Sequence, residues 1–136
     1  MASLATPYLS FRSTAREALE FYRDVFGGEL VMSTFGEFGM PDVAADQIMH
    51  GQLETSAGFV LMGSDVPESM PHTGGSTLTV CLNGDDVDQL HGYWEKLIQG
   101  ADVSTPLEKM MWGDEYGACT DRFGIPWMIN ITLPKE

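Results

Sequence analysis

An α+β fold made of two βαβββ modules is predicted by three observations. A strand-turn-strand device occurs twice, once within His50–Met62 and once within Trp112–Asn130, with Gly58 and Met62 matching Gly124 and Met128. An amphipathic helical pattern also occurs twice, and Tyr93-Trp94 falls in the second where Phe21-Tyr22 fell in the first. A single linker-like stretch, rich in proline, glycine and small polar residues, separates the two copies. Similarity at half the chain length is the mark of a repeated unit. Each half is too small to bury its own sheet, so residues 1–136 are read as one domain: module one over about 4–65, a linker over 66–75, and module two over about 76–134.

The elements follow in order. Thr6–Phe11 reads as a strand, with Pro7 near its start, where a missing N–H is tolerated. Thr14 is the expected helix cap, with Glu17 completing a capping box. Ala15, Leu19, Tyr22 and Phe26 recur at helical spacing, Ala18, Phe21 and Val25 widen the stripe, and Gly27-Gly28 ends it. Glu29–Phe35 resumes as a strand, and Gly36–Asp46 is a loop. Ile48–Thr55 and Phe59–Gly63 form a hairpin over Ser56-Ala57-Gly58. The second copy begins with a strand over Ser76–Leu82. Asp86 then caps a helix whose apolar stripe is Val87, Leu90, Trp94 and Leu97, and Gly100 ends it. Strands over Ala101–Pro106, Tyr116–Thr120 and Ile125–Leu133 complete the module.

Composition narrows the classes. A 136-residue chain, 43% hydrophobic and 20% charged, is globular in character. Its net charge of -13 repels phosphates and anionic lipid, which disfavours nucleic acid and membrane surfaces as partners. It is compatible with a cationic ligand, although a solvated acidic surface accounts for it as well. Cys81 and Cys119 lie in strand-like runs without metal-ligand spacing, and are expected to be buried free thiols. There is no charged-then-apolar leader at Met1 and no run long enough to span a bilayer, so a cytoplasmic location is expected.

Several motifs together carry a resemblance. Pro-Tyr-Leu-Ser-Phe11, then Ala-Leu-Glu-Phe-Tyr22, Phe-Gly-Gly-Glu-Leu30, Leu-Met-Gly-Ser-Asp65 and Thr-Asp-Arg-Phe-Gly-Ile-Pro-Trp-Met-Ile-Asn130 resemble the PhnB-like branch of the vicinal oxygen chelate superfamily. That superfamily includes glyoxalase I, extradiol dioxygenases and bleomycin and fosfomycin resistance proteins. The resemblance implies curved mixed sheets forming a concave cup, a helix on each convex face, and a homodimer. Metal-dependent members draw His, Glu or Gln ligands from the first and fourth strands of each module. Here those strands offer Pro7, Tyr8 and Leu9; Val60, Leu61 and Met62; Thr77, Leu78 and Thr79; and Met128, Ile129 and Asn130. No cofactor is therefore predicted, and a divalent metal is disfavoured. PhnB-like sequences also carry a methyltransferase label, but no strand here leads into a Gly-rich loop and helix that would bind a nucleoside cofactor.

Candidate site residues come from strand alternation. Met49 and Leu53 share one face of the third strand, while His50, Gln52 and Glu54 share the other, which would line the cup. His50 is the candidate acid/base, or else it hydrogen-bonds a neighbour in a polar sheet interior. His72 and His91 read as structural or solvated. The Leu107–Tyr116 stretch is expected to be a loop, either a lid over an apolar ligand or a cap on the core or a dimer partner. Glu115 would orient His50 if that loop folded inward. Thr77, Thr79, Trp112, Tyr116 and Asn130 complete the expected ligand contacts, and Trp127 is expected in the core.

Three functions follow. The first is a small-molecule binding protein whose acidic cleft holds a cationic or amphipathic compound. The second is a metal-independent enzyme in which His50, with Glu115, moves a proton. The third, a metal-dependent lyase or dioxygenase, is disfavoured by the missing ligands.

Overall fold

The computed structural model describes residues 6–39, 45–67 and 78–134. The chain divides into two compact units, Met1–Thr73 and Gly74–Glu136. The first contains β1 (Tyr8–Phe11), α1 (Ala15–Phe26), β2 (Glu29–Thr34), a short 3-10 turn (Gly36–Phe38), β3 (Ile48–Glu54) and β4 (Val60–Asp65). The second contains β5 (Val80–Gly84), α2 (Val87–Leu97), β6 (Asp102–Lys109), β7 (Glu115–Thr120) and β8 (Pro126–Ile131). Each unit holds one four-stranded mixed sheet, ordered β1-β4-β3-β2 in the first and β5-β8-β7-β6 in the second. The two orders are the same once the repeat is allowed for, and the repeated β-α-β-β-β succession is the one the sequence predicts.

The repeated hairpin is the same device at the level of hydrogen bonds. In the first unit Thr55 N–H donates to the Phe59 carbonyl and Gly58 N–H to the Thr55 carbonyl; in the second, Asp121 donates to Ile125 and Gly124 to Asp121. Gly58 and Gly124 stand at φ 99° and 90°, a conformation that a side chain would strain. The parallel ladders repeat too: Met62 faces Tyr8 in β1, and Met128 faces Cys81 in β5.

Each sheet is covered by its own helix. The stripe Ala15, Ala18, Leu19, Tyr22, Val25 and Phe26 is buried against β2, β3 and β4. Leu19 lies directly over Gly51, where an added Cβ would collide with its δ-methyl. In the second unit Leu90, Trp94 and Leu97 are buried, and the Trp94 ring lies over Gly117. Trp127 is 1% exposed, in the core as expected, with its indole N–H donating to Asp121 at 2.8 Å.

Four expectations are corrected. Thr14 precedes α1 but makes no side-chain capping bond, because its ψ of 10° lies outside the extended conformation a cap adopts. The cap arrives from β4 instead: Asp65, 3% exposed, accepts from Ala15 N–H at 3.0 Å and Ile48 N–H at 2.9 Å. Asp86, by contrast, does cap α2, accepting from Gln89 N–H. Of the expected strand over Ser76–Leu82, residues 76 and 77 lie outside the described residues, and the described strand runs from Val80 to Gly84, set by its ladder from Val80↔Trp127 to Gly84↔Ile131. The expected loop over Leu107–Tyr116 shrinks to a turn over Met110–Asp114, because Glu108↔Tyr116 and Lys109↔Glu115 pair in the β6–β7 ladder. Cys119 is buried, but Cys81 is exposed, since it alternates onto the face away from α2.

Candidate functional site

In the first unit one face of the sheet carries α1 and the other does not. Gly51 and Leu53 of β3 turn toward α1 and are buried, so alternation sends His50, Gln52 and Glu54 to the open face. Pairing with β2 sets their neighbours: Ser33 beside His50, Val31 beside Gln52, and Glu29 beside Glu54. These six residues line a groove of about 270 Å³. The expected trio on β3 is therefore brought together on one surface, and β2 contributes the other half. The sequence signal for that half was the antiparallel register of β2, which a reading of β3 alone does not use.

The groove is asymmetric. At one end Glu29 and Glu54 lie directly opposite each other, an arrangement that costs free energy between like charges. Glu54 also accepts from the Gln52 amide at 3.2 Å, which holds both side chains in place. In the middle Val31 is 67% exposed, an apolar surface open to solvent. At the other end the His50 imidazole is half-buried, its ring 6.0 Å from that of Tyr8. No hydrogen bond or ion pair engages that imidazole among the described residues.

The remaining candidates lie in the second unit. Glu115 is the first residue of β7 and alternates with Gly117 and Cys119 onto the face covered by α2. Its carboxylate bonds His91 of α2 at 2.8 Å, which ties β7 to the helix that covers it, while His50 belongs to the other unit. Tyr116 and Asn130 are register partners on the opposite, open face. The Asn130 amide donates to Asp114 Oδ2 at 3.1 Å, and Trp112 meets the Tyr116 ring at 6.1 Å. The sequence places Asp114 in the Leu107–Tyr116 stretch but gives it no role of its own, since nothing in the local pattern distinguishes it from other turn carboxylates. Thr79 is exposed, immediately before β5, and Thr77 and His72 lie outside the described residues.

A divalent ion needs several hard or borderline donors converging on one point. Tyr8 faces Met62, and Cys81 faces Met128, across the two parallel ladders. These positions supply a phenol, two thioethers and a thiol, and no carboxylate or imidazole. Among the described residues no group of three His, Cys, Asp or Glu side chains is placed to hold a metal. At these positions the described side chains do not fit a divalent ion.

Comparison with known proteins agrees with this architecture. The chain is 27% identical to protein YjdN of Escherichia coli over 141 aligned positions, covering 93% of each chain. Protein PA1353 of Pseudomonas aeruginosa is 34% identical, with a TM-score of 0.86 over 98% of this chain and 100% of that one. A Bacillus cereus PhnB protein, described as a putative 3-demethylubiquinone-9 3-methyltransferase, has the same fold at 23% identity, with a TM-score of 0.75 over 97% of this chain and 100% of that one. The sequence profile of the Glyoxalase/Bleomycin resistance protein/Dioxygenase superfamily matches residues 7–129, and the chain belongs to that superfamily.

Proposed function

We propose that the protein binds a small organic cation in the open-face groove of its first unit, without a divalent metal. The observation that carries this reading is the register pairing of Glu29 with Glu54 in a groove that also exposes Val31. Two opposed carboxylates repel in the free protein, so a bound ammonium or guanidinium group relieves a cost and adds an attraction. Val31 offers contact to an apolar body, and Ser33 and His50 offer polar contacts at the far end. The overall charge of -13 raises the local concentration of such a ligand. A homodimer, which the family resemblance implies, belongs to the same proposal; a sedimentation mass of one chain would remove it.

Calorimetric titration with polycyclic amines and cationic glycopeptides tests this reading. We expect saturable binding that weakens with salt and falls roughly tenfold or more in the Glu29→Gln/Glu54→Gln double variant. Treatment with a chelator leaves it unchanged. Absence of binding across the panel, or equal affinity in the double variant, would overturn it.

One observation favours a second reading. A half-buried imidazole with no hydrogen-bond partner among the described residues suits a metal-independent enzyme in which His50 takes or gives a proton. On an identified substrate, His50→Ala then abolishes turnover while leaving cation binding at the carboxylate end. Unchanged turnover removes this reading and leaves the first intact.

A further inference from the structure

We propose that the β6–β7 turn, with the adjoining end of β8, is a second ligand site that takes a methylated or alkylated ammonium group. Four side chains build it. Tyr116 and Asn130 are register partners on the face away from α2, so their side chains stand side by side. Asn130 Nδ2 donates to Asp114 Oδ2 at 3.1 Å, which ties the carboxylate to that pair. Trp112 meets Tyr116 at 6.1 Å between ring centroids with 66° between planes. The contacts run Trp112, Tyr116, Asn130, Asp114, and they gather two aromatic rings and a carboxylate at one end of the sheet.

The chemistry of that grouping is specific. The two rings meet edge to face rather than in a closed stack, and Trp112 remains 58% exposed. A cation over an aromatic face is attracted by the ring quadrupole, and tryptophan is the strongest partner. The carboxylate adds charge, and its Oδ1 has no hydrogen-bond partner among the described residues. An alkylated ammonium is weakly hydrated and carries its charge on methyl or methylene groups, which suits rings that offer no lone pairs. A hard metal ion needs converging oxygens, and a single carboxylate does not supply them. Met111 is 99% exposed in the same turn, a flexible thioether able to close over an alkyl group. The site uses none of the groove residues of the first unit and does not rest on that reading.

The test uses the full chain and two probes of one shape: choline, and its uncharged isostere 3,3-dimethylbutan-1-ol. Of the three tryptophans, Trp94 and Trp127 are buried, so the indole N–H resonance of Trp112 reports on the site. Choline is expected to shift that resonance saturably, the alcohol to leave it in place, and Asp114→Asn to weaken the response roughly tenfold. Glu29→Gln/Glu54→Gln leaves it unchanged, which separates this site from the groove. Trp112→Ala replaces an exposed side chain and should remove the calorimetric signal of choline at this site. A Trp112 resonance unmoved by choline, an equal response to the alcohol, or full affinity in Asp114→Asn would each overturn the proposal.

Discussion

Cys81 and Cys119 show how one residue type is given two characters by strand alternation. Cys119 turns toward α2 and is 3% exposed; Cys81 turns away and is exposed. Burial, with the Asp121 carboxylate two residues on, pushes the Cys119 thiol up to about 11. A thiol is neutral when protonated, so a raised value means that the folded state holds its proton more tightly than the unfolded chain. That contribution to stability is complete below the ordinary value of 9.0 and is lost as pH rises toward about 11. Urea midpoints should therefore fall across that window, and fall less in Cys119→Ala. At pH 8 a disulfide reagent should titrate one thiol quickly, the other only on denaturation; two fast thiols would contradict the placement of Cys119.

Helix α1 depends on a residue from outside its own sequence. Asp65 accepts from Ala15 N–H at the helix start and from Ile48 N–H at the start of β3, and so joins three elements of the first unit. A carboxylate at a helix N-terminus is also favoured by the helix dipole. Asp65→Ala leaves two buried donors without a partner, and each costs about 1–3 kcal/mol. Thr14→Ala removes no capping bond and should change unfolding free energy by less than about 0.5 kcal/mol, where a capping threonine would cost about 1 kcal/mol. Chemical denaturation of the two variants checks the pair; a larger loss at Thr14 than at Asp65 would restore the sequence-based assignment. Local patterning alone could not choose between them. A capping box is written in four consecutive residues, whereas Asp65 reaches Ala15 only because β4 pairs in parallel with β1.

Over the whole chain, what was legible was what repeats. The two glycine turns, the two helical stripes and the alternation of β3 are local patterns, and each has its counterpart in the ladders and in the family match over residues 7–129. Half of the groove was legible as well, because His50, Gln52 and Glu54 lie on one strand. Glu29, Val31 and Ser33 were not, since their place beside β3 depends on pairing register rather than on their own sequence. Asp114 was legible only as a member of its loop, and its role was not, for a related reason: only the Asn130 amide, sixteen residues away, distinguishes its carboxylate. The bond from Glu115 to His91 was not legible either, since it depends on β7 turning that carboxylate toward α2.

The central claim is that the open face of β2 and β3 is a metal-free site for an organic cation. An electron-density map of the chain crystallised with the tightest-binding amine of the calorimetric panel tests it most directly. The account predicts ligand density over Val31 and Gln52, with the charged nitrogen within hydrogen-bond reach of Glu29 and Glu54. A divalent ion held there by three or more side chains, or an amine bound only outside this groove, would contradict it.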